Sequence, residues 1–207
     1  MLVTKVKICG ITNYEDAVAS VDCGADIIGF NFYPKSPRYI PVEKAIEIAR
    51  SLPGFVELAG VFVNSTLDQI RQIAHDCYLD WVQLHGDEGP EFCRSVAADS
   101  VKVIKAIRIK DKADLSSMDQ YLADAILLDS YSPESYGGTG KAFDWSILDR
   151  IERRIFLAGG INPDNAPVAV ALGVYGIDVC SGVEAYPGKK DPAKLKALFE
   201  AISQVRG

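Results

Sequence analysis

The chain reads as a closed α/β barrel of eight parallel strands, and three observations predict it. Eight short apolar runs recur along 207 residues. The segments between most of them space their apolar residues as helices do. No G-x-G-x-x-G follows the first run, which removes the usual dinucleotide fingerprint of the competing open, doubly wound sheet. Near-continuous apolar strands alternating with helices imply a parallel sheet covered on its faces by helices. A count of eight favours closure into a (β/α)8, or TIM, barrel, spanning residues 1–207 as one compact domain.

The elements follow in order. "KVKICG" (5–10) is the first strand, and "NYEDAVASVDCG" the helix after it. "ADIIGFNF" (25–32) precedes "VEKAIEIARSL", and "VELAGVFVN" (56–64) precedes "TLDQIRQIAHDC". "WVQLHG" (81–86) leads to "GPEFCRSVA". "VKVIKAIRI" (101–109) is followed by the segment between Lys110 and Leu122, where helical spacing is weakest. "DAILLDS" (124–130) runs through a long loop to "FDWSILDRI", read as a helix. "RIFLAGGI" (154–161) precedes "NPDNAPVAVAL", whose Asn162-Pro163 pair predicts a helix start. "YGIDVCSGVE" (175–184) precedes "DPAKLKALFEAISQV", which starts the same way at Asp191 and Pro192.

Composition bounds the partners. A formal charge of −6 argues against nucleic acid, although an acidic protein can still bind an anion locally. No apolar run approaches the ~20 residues of a membrane span. The five cysteines are odd in number and scattered, and no signal-peptide pattern is evident, so a reducing, cytoplasmic setting is expected. No C-x-x-C pair and only two histidines argue against a metal centre. Monomer and homodimer both stay open.

A barrel places its active site at the C-terminal strand ends. Along the first strand Val6 and Ile8 suit the helix layer, so Lys7 and Cys9 point inward. Lys7, deeper, is expected to pair with an inward carboxylate such as Asp178. Cys9, at the mouth, is either a small core residue or, as a thiolate, a base for a carbon acid. The loop "NFYPKSPRYIP" (31–41) carries Lys35 and Arg38. It is either a solvated loop or a carboxylate site in which the planar Arg38 fork binds the anion while Phe32 and the tyrosines cover an aromatic ring. Gln83 and His85 share a face toward the cavity, and His85 reads as a substrate contact at most. Asp129 is the first polar group after three aliphatic residues, placed either to donate a proton or to cap the next turn. The loop after it, "YSPESYGGTGKAFDW", is either a flexible connection or a cover for a ligand. Gly159, Gly160, Ser181 and Gly182 sit at two adjacent strand ends, where barrels often bind phosphate; tight turns are the plainer explanation.

"KICGIT", "GFNFYPKSPRYI", "GVFVN", "VQLHG", "LLDS" with "YGGTGKAFDW", "AGGINPDN" and "DVCSGVEAYPGKKD" together resemble the phosphoribosylanthranilate isomerases of tryptophan biosynthesis, in order from residue 5 to about residue 191. The resemblance implies an Amadori rearrangement of N-(5-phosphoribosyl)anthranilate. It implies Cys9 as general base, Asp129 as general acid and Arg38 on the anthranilate carboxylate, with the phosphate at Gly159, Gly160, Ser181 and Gly182. It implies no metal and no organic cofactor, because the ring-conjugated nitrogen is itself the electron sink. The alternatives are a histidine-pathway aminosugar isomerase, which usually pairs two aspartates, and a non-catalytic sugar-phosphate-binding barrel, which would lack the acid and base. Indole-glycerol-phosphate synthase would need a lysine–glutamate set that is not evident at the strand ends. A redox-sensing thiol protein is disfavoured because no second cysteine lies near Cys9 in sequence.

Overall fold

The computed structural model describes residues 3–130, 143–148 and 152–205. Eight parallel strands close in sequence order: β1 Lys5–Cys9, β2 Ile27–Asn31, β3 Glu57–Phe62, β4 Trp81–Leu84, β5 Lys102–Ile109, β6 Ala125–Ser130, β7 Ile155–Leu157 and β8 Gly176–Val179. β8 pairs back on β1 with Lys7 opposite Asp178 and Ile8 opposite Val179. Each strand falls inside the apolar run that predicted it.

Alternation sorts the side chains into two layers. Ile27, Ala59, Trp81, Ile104, Leu127 and Phe156 fill the barrel, with Trp81 and Phe156 meeting edge to face at 6.0 Å. Below this plug Glu57 is bonded to both Lys5 and Lys102. The opposite faces, including Val6, Ile8, Ile28, Phe30 and Val82, pack against the helices. Each aliphatic side chain so buried contributes roughly 1.5–3 kcal/mol of transfer free energy. Above the plug the interior becomes polar again, and there the cavity opens.

The helices are α1 Tyr14–Cys23, α2 Val42–Ser51, α3 Leu67–Asp76, α4 Pro90–Ala97, α5 Ala166–Ala171 and α6 Pro192–Ile202. Their starts are chemically specified. Asn13 accepts from the Asp16 N–H, Thr66 and Gln69 form a reciprocal capping box, and Asp191 accepts from the N–H groups of Ala193 and Lys194 ahead of Pro192.

Three expectations need correction. α5 starts after Asn165 rather than at Asn162. Asn162 Oδ1 instead accepts from the N–H groups of Asp164 and Asn165, and this side-chain turn uses up the signal that predicted a helix start. Between β5 and β6, Lys112–Gln120 is 3-10 rather than α-helical. There the Ser116 and Ser117 hydroxyls donate to the carbonyls three residues back, at 2.7 and 2.8 Å, which suits the tighter turn. Of the helix expected over 143–151, the described residues show a 3-10 turn at Trp145–Ile147; residues 149–151 lie outside the description. A small hairpin, β9 Glu184–Tyr186 with β10 Lys189–Lys190, was not foreseen. Among the described residues, no helix is long and apolar enough to cross a membrane.

Candidate active site

A cavity of about 320 Å³ opens at the C-terminal ends of the strands, a size suited to a small ligand. Cys9, Arg38, His85, Asp129, Gly159, Gly160 and Ser181 all line it. Gly182 is not in the lining but packs against the Ile161 carbonyl, and Phe32 is not in the wall either: it stacks on Phe62 at 5.4 Å within the core. Tyr33 and Lys35 supply the loop's share of the lining. The loop proposed to cover a ligand, after β6, falls on residues 131–142, outside the described residues.

One side of the cavity is built around a thiol. Lys7 is fully buried and donates to Asp178 Oδ1 at 2.8 Å. Burial alone would drive off the lysine proton, but Asp178 and Cys9 outweigh it, and Lys7 is held more firmly protonated than usual. Cys9 is held well below the ordinary thiol value, first by a hydrogen bond from Cys180 and then, against the opposing effect of burial, by the Lys7 cation. The Cys180 thiol is pushed up in turn, because the pair shares one favourable site for negative charge. Burial raises Asp178 to about 6, with the neighbouring Cys9 and Asp129 adding to the rise and Lys7 opposing it.

The other side is built around a carboxyl. Asp129 Oδ1 accepts from the Ser130 N–H at 2.8 Å. His85 Nε2 lies 3.3 Å from Asp129 Oδ2, within ion-pair range but off the line of a hydrogen bond. Gln83 Nε2 meets His85 Nδ1 at 2.8 Å. With the Gln83 amide as donor, a neutral His85 ring carries its proton on Nε2, toward Asp129. Gln83 Oε1, His85 Nε2 and Ser130 Oγ are buried without hydrogen-bond partners among the described residues. Buried polar atoms of this kind are costly unless something satisfies them, and the two on Gln83 and His85, which line the cavity, fit a polar ligand.

Between these sides the cavity wall is a glycine-bearing edge. Gly159 and Gly160 have φ of +81° and +70°, the left-handed region that suits glycine. A Cβ at Gly159 would also come within 2.9 Å of Asp129 Oδ1, and one at Gly182 within 1.9 Å of the Ile161 carbonyl oxygen. The loop after β7 can pass close to the end of β6 because Gly159 lacks a side chain, and the loops after β7 and β8 can approach each other because Gly182 does. The short 3-10 turn Ser181–Val183 begins at this point, and the first N–H groups of a turn have no partner within it.

Arg38 sits at the rim with a partner that sequence reasoning missed. Its Nε and Nη2 donate to Glu184 Oε1 and Oε2 at 2.9 and 2.7 Å, a bidentate pair. Lys190, 1 % exposed, also reaches Glu184 Oε1, at 3.3 Å. Burial raises the Glu184 carboxyl, but Arg38 and Lys190 overcome it and hold it ionised below the usual range. The fork expected to capture a ligand carboxylate is therefore half used internally, leaving the Nη1 edge. Cys180 was also missed: 171 positions separate the paired Lys7 and Asp178, and the same strand pairing brings the two cysteines together. Among the described residues, no group of three or more His, Cys, Asp or Glu side chains is arranged to hold a metal ion.

A family model described as N-(5'phosphoribosyl)anthranilate (PRA) isomerase matches residues 6–201. The N-(5'-phosphoribosyl)anthranilate isomerase of Citrifermentans bemidjiense is 48% identical over 205 residues, covering 98% of each protein. The crystal structure of phosphoribosyl anthranilate isomerase from Thermus thermophilus superposes with a TM-score of 0.89 at 38% identity, over 97% of this chain and 99% of that one. A phosphoribosyl anthranilate isomerase solved in complex with reduced 1-(o-carboxyphenylamino)-1-deoxyribulose 5-phosphate is 42% identical, with a TM-score of 0.85 over 97% of this chain and 99% of that one. With sequence, fold and length in agreement, the chain belongs to the N-(5'-phosphoribosyl)anthranilate isomerase family.

Proposed function

We propose that the chain converts N-(5-phosphoribosyl)anthranilate into 1-(2-carboxyphenylamino)-1-deoxy-D-ribulose 5-phosphate by an Amadori rearrangement, a cytoplasmic step of tryptophan biosynthesis. The observation that carries the reading is a depressed thiol and a carboxyl lining one sugar-sized cavity beside a glycine edge. Asp129 protonates the furanose ring oxygen, the C1′–O bond breaks, and the nitrogen lone pair forms an iminium. Cys9 thiolate then removes the acidified C2′ proton, and the enolamine tautomerises to the ketone. Acid and base groups of this kind contribute about 10²–10⁴-fold each.

The remaining residues hold the ends of the substrate. Gly159, Gly160, Ser181 and Gly182 receive the phosphate through backbone N–H groups and the serine hydroxyl. Arg38, steadied by Glu184, offers its Nη1 edge to the anthranilate carboxylate. His85 donates from Nε2 to the substrate beside Asp129. No step calls for a metal or an organic cofactor. The phosphorylated product analogue bound to the solved relative supports a ligand of this class.

The test is to mix purified protein with freshly made phosphoribosylanthranilate and follow the loss of anthranilate-type fluorescence. Rapid loss that collapses in Cys9→Ser and Asp129→Asn, with fold and binding kept, supports the assignment. Near-normal turnover in both variants would overturn the two roles, and no fluorescence loss with the wild type would overturn the reaction.

A further inference from the structure

The thiol beside Cys9 supports the thiolate but exchanges no proton with the substrate in that reaction, and the fold puts it within bonding reach of Cys9. β1 and β8 are adjacent parallel strands in register, Lys7 on Asp178 and Ile8 on Val179, and one step further brings Cys9 level with Cys180. Neighbouring strands lie about 4.8 Å apart, inside the roughly 4.4–6.8 Å Cα separation that disulfides span. The inward pairing of Lys7 with Asp178 sets both cysteines on the inner face, and both line the same cavity. A Cβ built on Gly10, the residue after Cys9, would lie 3.0 Å from Cys180 Sγ, so that sulfur lies over the end of β1. Lys190 Nζ stands 3.9 Å from Cys180 Sγ, and Lys7 and Arg38 bring two more cations to the pair.

We infer that Cys9 and Cys180 form an oxidation site, a dithiol that a hydroperoxide closes to a disulfide across the mouth of the barrel. The steps balance. Cys9 thiolate attacks a peroxide oxygen, the O–O bond breaks, and for hydrogen peroxide the released hydroxide takes back from solvent the proton that Cys9 lost on ionising and leaves as water, giving a sulfenic acid. Cys180 sulfur then attacks that sulfur; the S–S bond forms, the S–O bond breaks, and the hydroxide departs as water with the Cys180 proton. Two thiols lose two electrons in all, and the peroxide gains two. A reducing dithiol reverses the bond by exchange. The remaining thiols are poor competitors: burial pushes both Cys77 and Cys93 up to about 11, and burial with the neighbouring Asp22 charge raises Cys23.

The inference adds to the proposed reaction, and its test reads a bond rather than a rate. Full-length protein is treated with hydrogen peroxide in molar excess, quenched by alkylation and mapped by mass spectrometry, with fragmentation that separates Cys9 from Cys23. The expected product joins the Cys9 and Cys180 peptides with loss of two hydrogens. Turnover in the linked fraction falls by about 10²-fold or more and returns with dithiothreitol. Cys180→Ser and Cys180→Ala, each compared with its own untreated activity, lose the reversible phase and instead take Cys9 on to the sulfinic acid. Cys9 recovered as sulfinic acid in the wild type with no linked peptide, or linkage of Cys9 to Cys23 instead, overturns the inference. A linked pair with full turnover would leave the disulfide standing and remove Cys9 from its catalytic role.

Discussion

Two lysines are buried in this barrel against carboxylates, and they do different work. Lys7 meets Asp178 at 2.8 Å on the inner face; Lys105 meets Glu88 at 2.9 Å on the outer face, beneath the helices. By burial and distance the pairs are nearly interchangeable. Their third partners distinguish them. Lys105 Nζ also donates to the carbonyls of Leu84 and Gly86, at 3.4 and 2.8 Å, while Glu88 accepts from the N–H groups of Asn64 and Gly86. That pair stitches the ends of β3 and β4 into the loop below His85. Lys7 instead faces Cys9, a group that gains or loses charge. A buried ion pair is therefore no sign of function in itself; what marks a site is a titratable neighbour exposed to the cavity.

The largest difference between the two pairs is expected in turnover. Lys7→Met withdraws the cation that favours the Cys9 thiolate, and kcat should fall by about 10²–10⁴-fold. Lys105→Met should leave kcat per folded molecule close to wild type. Steady-state rates normalised to active-site concentration check both, and equal losses in the two variants would erase the distinction.

Stability should rank the pairs the other way. Lys105→Met strands Glu88 among groups already committed to the backbone, and breaking a buried pair costs about 3–5 kcal/mol. Lys7→Met should cost less at pH 5 than at pH 8, because Asp178 titrates within reach of neutrality and can take up a proton once its partner is gone. Denaturant unfolding at the two pH values measures this.

A smaller effect follows in the wild type. Asp178 ionises at about 6 in the folded chain against an ordinary value of 3.8. The folded state thus binds the proton more tightly than the unfolded one, and stability contributed by this group falls as pH rises from about 4 to about 6, by up to about 3 kcal/mol. Glu184 and Glu57 are held low and push the other way, losing stability as pH falls. The difference in unfolding free energy between wild type and Asp178→Asn isolates the Asp178 part. A flat difference across that range would contradict it.

Much of the architecture was legible because buried parallel strands must be apolar on both faces, and eight such runs are hard to mistake. What escaped was local or distant. The hairpin at Glu184–Tyr186 and Lys189–Lys190 is too short to leave an alternating pattern. Asn162 serves a turn with the same side chain that would cap a helix. At the site, strand alternation aimed Cys9 and His85 into one cavity and Lys7 into the barrel interior beneath it, because a period of two leaves only two choices of face. Partners contributed by remote strand ends left no local signal. Glu184 lies 146 positions from Arg38, and Cys180 reaches Cys9 only through closure of β8 on β1.

The claim on which the comparison depends is that Lys7 tunes the Cys9 sulfur. The direct measurement is the rate of iodoacetamide alkylation at Cys9 against pH, read by mass spectrometry in wild type, Lys7→Met and Lys105→Met. Wild type and Lys105→Met should both titrate well below the ordinary thiol value of about 8.5, and Lys7→Met should move up toward it. One common titration midpoint for all three proteins would contradict the claim.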